Sequence, residues 1–326
     1  MLSCSRRTSV KTHQNVIKAR QIDSKDPLLF AQNKQMFKAT HSTLATFSSS
    51  SAASVAATTS PLFSAALYFS HLRNKTSGPG RELWFAPALD STQTHLISSG
   101  VDGDAGIVCV AARQTAGKGR GDNTWESPEG CLMFSFRQSF PDREGKTLPF
   151  MQYVISLAMV RAVRKCAYID IKIKWPNDLY SAETPARKIG GILCQSHYQD
   201  SRFVVTTGVG LNVSNDKPTT CISALANRTV SQEALLGEFF NAFDDLYNGV
   251  FLPSGPSFAP LLDEYHSNWL HSGQVVTADD GKVQAVVQGI SPVTGCLLAR
   301  DATGLLELQP DGNRLDFFKG LISRRV

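Results

Sequence analysis

Four short stretches of the 326-residue chain hold side chains whose types and spacing could do chemistry. The first runs Gln114-Thr115-Ala116-Gly117-Lys118-Gly119-Arg120-Gly121 and continues to Trp125-Glu126-Ser127-Pro128-Glu129-Gly130. Its glycines alternate with cations. Glycine lets backbone N–H groups approach an anion closely, while Lys118 and Arg120 add charge and directional donors for phosphate. Neither G-x-x-x-x-G-K-[ST] nor G-x-G-x-x-G can be written here, so the stretch is not a P-loop or a dinucleotide fingerprint. A basic surface loop is the plain alternative.

The second stretch, Lys172-Ile173-Lys174-Trp175-Pro176-Asn177-Asp178-Leu179-Tyr180, delivers two lysines to one face of a strand. The strand must end at Pro176, which cannot continue a central ladder. Asn177 and Asp178 then offer an amide and a carboxylate, although an ordinary turn has the same residues. Third, Lys188-Ile189-Gly190-Gly191-Ile192-Leu193 sets a lysine before a double glycine. Fourth, Gly208-Val209-Gly210-Leu211-Asn212 ends a strand with glycines and an amide. Each alone fits a hairpin. Together they are four strand ends in order, each joining glycine or proline to a cation, carboxylate or amide. The seven histidines show no H-x-x-x-H or H-E-x-x-H, and the seven cysteines no C-x-x-C, so a zinc site has no support.

The elements that must position these residues are legible in part. Ile107–Ala112 and Cys131–Phe136 read as apolar strands. Leu148–Lys165 places Phe150, Tyr153, Val154, Leu157, Val160 and Val163 near the helical repeat. Ile169–Lys174 alternates as a half-buried strand should. Lys188–Ser196 and Phe203–Val213 predict a strand pair, Ser231 to about Val250 a helix that starts on a serine cap, and Leu261–Leu270 another helix. After Gly273, Asp280-Gly281, Thr294-Gly295, Thr303-Gly304 and Asp311-Gly312 recur about every ten residues, as in a small all-β unit.

With 42% hydrophobic and 19% charged residues, the chain can bury a sizeable core, and no apolar run reaches the ~18 residues of a membrane helix. Residues 1–60 carry eight Lys/Arg against Asp23 and Asp26, so the net charge of +5 belongs to this leader. The remainder is near neutral, and neither nucleic acid nor membrane is expected as a partner. The leader, rich in Ser and Thr and poor in acids, reads as an organelle transit peptide or as a tail without an address. Met36 offers an internal start that would shorten it. Dispersed cysteines fit a reducing compartment.

The motif series Q-x-A-G-[KR]-G-R, W-x-S-P-x-G, K-W-P-N-D, K-x-G-G-I-L and G-x-G-x-N resembles that of the biotin–protein ligases, or holocarboxylase synthetases, from about Ala88 onward. Asp311-Gly312-Asn313 through Phe317-Phe318-Lys319-Gly320 resembles the plant-type enzymes. The resemblance implies an α+β fold. Residues 83–272 would form a catalytic domain related to class II aminoacyl-tRNA synthetases, a mixed sheet with helices, and 273–326 a small SH3-like β-barrel. Residues 1–80 are the expected leader; they do not resemble the DNA-binding winged helix of some bacterial members, so no repressor is expected.

The implied activity joins biotin to ATP, with Mg²⁺, as biotinyl-5′-AMP. Biotin then passes to one lysine of the biotin-carrier domain of acetyl-CoA carboxylase and related carboxylases. Ser91, Thr92, Gln93 and Gln114 would meet biotin, together with Lys118, Gly119, Arg120 and Lys188. Lys118, Arg120, Lys174, Asn177, Lys188 and Asn212 would hold ATP. Lys188, Arg120 and Asp178 would carry catalysis, Asp178 by orienting the incoming amine, and Trp125 would wall the pocket or serve as a buried structural residue. Relatives usually have Arg at Lys118, whose ammonium lacks the planar fork. A lipoate or octanoate ligase of the same superfamily and a non-catalytic biotin- or carrier-binding protein are the alternatives. The expected location is chloroplast or mitochondrion, or cytosol from the internal start. The barrel edge and the sheet edge could each support a homodimer.

Overall fold

The computed structural model describes residues 18–21, 63–75, 77–101, 106–121, 123–140, 145–215, 217–255, 257–278, 283–308, 313–316 and 321–324. The chain passes through β1 (Lys18–Gln21), α1 (Ala65–His71), β2 (Glu82–Ala86), α2 (Thr92–Ser98), β3 (Ile107–Ala111), β4 (Cys131–Phe140) and α3 (Phe150–Ala167). Next come β5 (Ile171–Lys174), β6 (Asp178–Ser181), β7 (Lys188–Gln199), β8 (Arg202–Asn212), α4 (Ile222–Leu225), α5 (Gln232–Leu246) and α6 (Leu262–Asn268). It ends with β9 (Val275–Ala278), β10 (Val283–Ile290), β11 (Leu297–Arg300), β12 (Leu305–Leu308), β13 (Asn313–Asp316) and β14 (Leu321–Arg324).

The first eight strands make one mixed sheet, β1-β2-β3-β4-β8-β7-β6-β5, parallel from β1 to β3 and antiparallel beyond. Because successive side chains alternate faces, the sheet divides its chemistry cleanly. One face presents Leu132, Phe134 and Phe136 of β4, Ile171 and Ile173 of β5, and Val209 and Leu211 of β8 to a large apolar core. Helices α3 and α5 fill that core. Phe134 meets Phe239 at 5.0 Å and Phe136 meets Phe243 at 5.4 Å, edge to face, a geometry that favours aromatic pairs. On the opposite face a smaller cluster joins Leu96 of α2 to Trp84, Cys109 and Ala111.

The predicted helices fall where expected. Helix α5 starts at Ser231, whose Oγ accepts the Ala234 N–H at 3.1 Å, satisfying an otherwise orphan donor. It ends at Leu246 and widens into a π turn over Tyr247–Phe251 rather than running on as α-helix to Val250. Helix α3 stops at Tyr168, which takes a left-handed φ of 58°. No helix among the described residues is long and apolar enough to cross a membrane.

Two differences from expectation lie at the N-terminal side. Helix α1 packs on α5, with the Asn241 amide donating to His71 O at 2.8 Å and accepting the Arg73 N–H at 2.8 Å. Phe63, Tyr68, Phe69 and Leu72 therefore share the core that was expected to start at 83; a seven-residue helix is too short for periodicity to stand out from the Ser-rich context. Strand β1, also inside the expected leader, pairs in parallel with β2. The rest of the leader, with Met36, lies outside the described residues.

Beyond Gly273 a second, six-stranded sheet runs β12-β11-β10-β9-β14-β13, antiparallel except where β14 meets β9. Thr294-Gly295 and Thr303-Gly304 turn between its strands as expected. Asp280-Gly281, Asp311-Gly312 and the Phe317–Gly320 segment lie outside the described residues.

Candidate active site

Cross-strand register builds the site floor. Lys174 of β5 faces Asp178 of β6, Asp178 faces Gly191 of β7, and Gly191 faces Gly210 of β8. Side chains in register share a face, so this row carries a cation and a carboxylate and then a bare stretch of backbone. Trp125 occupies the bare stretch: a Cβ at Gly210 would lie 2.5 Å from its indole, and one at Gly191 would lie 3.7 Å away. Gly210, the second glycine of G-x-G-x-N, is thus what allows the indole to lie on the sheet, while a Cβ at Gly191 would make only ordinary contact with it. Lys188 completes the group. Its Nζ is 2.8 Å from Asp178 Oδ1 and 5.7 Å from the Trp125 ring centroid. Lys174 Nζ lies 5.6 Å from the Tyr180 ring. Two cations therefore flank one carboxylate, an arrangement suited to anions.

The glycine-rich stretch is a small hairpin. Trp125 N–H donates to Gly117 O at 3.0 Å, Gly119 N–H to Asn123 O at 2.7 Å, and the Asn123 amide to Arg120 O at 2.8 Å. These bonds make one unit of Trp125, which lies on the floor, and the segment that carries Lys118 and Arg120. Lys118 is exposed and Arg120 partly so.

A polar cluster adjoins the hairpin. Gln114 Oε1 accepts from the Thr92 N–H at 2.7 Å and from the Thr92 hydroxyl at 3.1 Å, and Gln114 Nε2 donates to Ser127 Oγ at 3.2 Å. Thr92 Oγ1 also lies 2.7 Å from Ser135 Oγ. Ser127 and Ser135 were not anticipated as part of this cluster. The signal for Ser135 was present, a lone hydroxyl inside the apolar run Leu132-Met133-Phe134-Ser135-Phe136.

Three expected residues have prior engagements. Ser91 caps α2, accepting the Thr94 N–H at 3.3 Å. Gln93 spends its amide hydrogens on Leu193 O and Thr206 O, both at 3.1 Å, leaving Oε1 for any ligand. Asn177 donates to Ile192 O at 2.6 Å and accepts the Ile192 N–H at 2.9 Å, extending the β6–β7 ladder. Asn212 differs: its Nδ2 donates to Thr220 O at 3.2 Å, but its buried Oδ1 has no hydrogen-bond partner among the described residues. A buried acceptor of this kind costs free energy until a donor fills it, as the amino or hydroxyl groups of a nucleotide could.

The turn that delivers Asp178 is anchored from below. Trp175 N–H donates to His271 Nε2 at 2.9 Å, and His271 Nδ1 lies 2.8 Å from Gln274 Oε1. Because Nε2 accepts, Nδ1 carries the proton. Burial holds the His271 pKa down at about 4, so the ring is neutral near pH 7. Burial also pushes the Cys131 thiol, beside Trp125, up to about 12.

This fold and site define an enzyme family. The family model for the biotin/lipoate A/B protein ligase family matches residues 85–212, a span that holds every candidate residue above. Biotin–protein ligase 2 of Arabidopsis thaliana is 42% identical over 265 residues, covering 76% of this chain and 78% of its own. The chloroplastic biotin–protein ligase 1 of the same plant is 41% identical, covering 76% and 70%. The biotin protein ligase of Aquifex aeolicus, solved in complex with biotin and ATP, superposes with a TM-score of 0.59 at 26% identity, over 70% of this chain and 96% of that one. The chain belongs to the biotin/lipoate A/B protein ligase family.

Proposed function

We propose that the chain is an ATP-dependent biotin–protein ligase. A biotin carboxylate oxygen attacks the α-phosphorus of ATP, the bond to pyrophosphate breaks, and biotinyl-5′-AMP forms. A carrier lysine amine then attacks the biotinyl carbonyl, an amide forms, and AMP leaves. The observation that carries this reading is the Lys188–Asp178 pair beside an indole on a glycine floor.

In the first step two anions must meet. Lys188 exchanges Asp178 for the carboxylate and α-phosphate, and Lys118 and Arg120 close over them from the hairpin. One preorganised donor to developing charge is worth roughly 10²–10³ in rate. Mg²⁺ bound to ATP supplies further neutralisation of the phosphates. Thr92 and Gln114 present a hydroxyl and an amide to the ureido head of biotin, which offers donors and an acceptor. Lys174 and Asn212 serve the nucleotide, Asn212 through its unfilled oxygen. Closure of the hairpin also shields a reactive mixed anhydride from water.

In the second step Asp178, released from Lys188, attracts and orients the carrier lysine. The amine must arrive unprotonated although its ammonium form has a pKa of about 10.4, and the role given to Asp178 is positioning first. The acceptors are the biotin-carrier domains of acetyl-CoA carboxylase and related carboxylases. We further propose that the C-terminal sheet closes as an SH3-like barrel, and that the basic, Ser-rich leader directs the chain to an organelle; the leader's composition and the chloroplastic relative support this.

The purified protein, ATP and labelled biotin should label a biotin-carrier domain on one lysine and leave a lipoyl-type domain unlabelled. Preferential labelling of the lipoyl domain with octanoate or lipoate would overturn the reading.

A further inference from the structure

The turn between β5 and β6 has only three residues, Trp175, Pro176 and Asn177, before Asp178 begins β6. Each end is tied down. At the far end Asn177 bonds Ile192 through both side chain and main chain. At the near end Trp175 is held twice. Its N–H donates to His271, which lies in the segment between α6 and β9, and Leu270 N–H donates to Ile173 O at 3.0 Å beside it. Its indole N–H donates to Tyr153 Oη at 2.9 Å, and the Tyr153 hydroxyl donates in turn to Gly295 O at 2.6 Å. Gly295 sits in the turn between β10 and β11, on the C-terminal sheet. Trp175, Tyr153 and His271 are each no more than 1% exposed.

Water cannot replace these bonds at such burial, and a buried donor left unpaired costs free energy. Trp175 therefore has one place to be, and it is set by two groups outside the catalytic sheet. We propose that Tyr153 and His271 are positioning residues for Asp178, through which the C-terminal sheet and its connecting segment fix the carboxylate that holds Lys188. For its activity readout this rests on the biotin-ligase reading. A purely structural role predicts lost stability alone; a positioning role predicts that the effect on chemistry passes through Asp178.

The test compares Tyr153→Phe, which keeps the ring, with His271→Leu and with His271→Gln, which keeps an acceptor near the Nε2 position. Single-turnover biotin transfer and ATP–pyrophosphate exchange are measured in the wild-type and Asp178→Asn backgrounds. Hydrogen exchange over residues 171–181 and 202–212 is followed in the same proteins. Tyr153→Phe and His271→Leu should slow transfer roughly threefold to tenfold, the worth of one buried hydrogen bond, without raising the biotin KM. His271→Gln should recover most of that rate, Asp178→Asn should abolish the further loss, and exchange should rise over 171–181 but not over 202–212. Equal losses in both backgrounds, or exchange over 171–181 that does not change, would overturn the proposal. If the wild type labels no carrier domain, the ligase reading falls, and the exchange measurement on Tyr153→Phe still decides whether the turn is pinned as proposed.

Discussion

Lys188 Nζ lies 2.8 Å from Asp178 Oδ1, so the cation expected to face biotin and the carboxylate expected to face the carrier lysine are each other's partners. Both are partly open to solvent, and ion pairs of that kind contribute about 0–1 kcal/mol to stability. The pair is therefore cheap to break and suited to exchange. In the proposed reaction substrate anions take Lys188, which leaves Asp178 for the amine.

Lys188→Ala should leave the fold intact and reduce biotin-dependent ATP–pyrophosphate exchange by roughly 10²–10³, the usual effect of removing one donor to developing charge. Exchange near the wild-type rate in a protein of unchanged Tm would remove Lys188 from the first step.

Asp178→Asn keeps the shape and removes the charge. Single-turnover experiments started from preformed adenylate should show transfer falling further than adenylation, because only transfer brings a second ammonium to this position. A larger loss in adenylation would mean that Asp178 serves chiefly to aim Lys188.

How much of this was legible follows from what each signal depends on. The alternation of Ile171 and Ile173 with Lys172 and Lys174 is local, and β5 buries the isoleucines as that pattern requires. The Lys188–Asp178 pair joins two strands through a register with a bulge between Leu179 and Tyr180, which spacing along the chain cannot reveal. The glycines of the third and fourth motifs were recognisable, but the reason for Gly210, an indole lying against it, is a contact between distant segments. Gln93 and Asn177 have the right chemistry for ligands and spend it on backbone partners. Residue type alone does not separate those uses.

The indole contact gives its own prediction. A Cβ at Gly210 would sit 2.5 Å from Trp125, closer than real contacts allow, so Gly210→Ala must lift the ring. Overpacking of this sort costs about 1–3 kcal/mol. Here it should be read as a loss of biotin affinity of roughly tenfold to a hundredfold. In a Trp125→Ala background the same substitution should cost little more. Equal losses in both backgrounds would mean that the indole is not what the glycine accommodates.

Arg120→Gly should leave adenylation partly intact and raise the rate at which biotinyl-5′-AMP escapes, since the hairpin that holds Trp125 also carries this guanidinium. Released adenylate can be trapped by free lysine or by bystander proteins. A variant that retains the intermediate as long as the wild type would refute a lid role for the hairpin.

The buried histidine under the turn makes stability depend on pH in a definite sense. His271 is neutral because burial lowers its pKa from 6.5 to about 4; the charge on Lys174 acts the same way, and the bond to Gln274 opposes both. The unfolded chain takes up a proton near pH 6.5 and the folded chain only near 4, so stability is complete above pH 6.5 and falls as pH drops toward 4. The full difference corresponds to about 3 kcal/mol. Burial also lowers the pKa values of His95 and His266, so they add in the same direction. His271→Gln, which cannot titrate, should therefore be less stable than the wild type at pH 7.5 yet lose less on acidification, and urea midpoints of the two proteins should converge between pH 6.5 and 4. Parallel curves across that interval would mean that the ring is not held neutral by its surroundings.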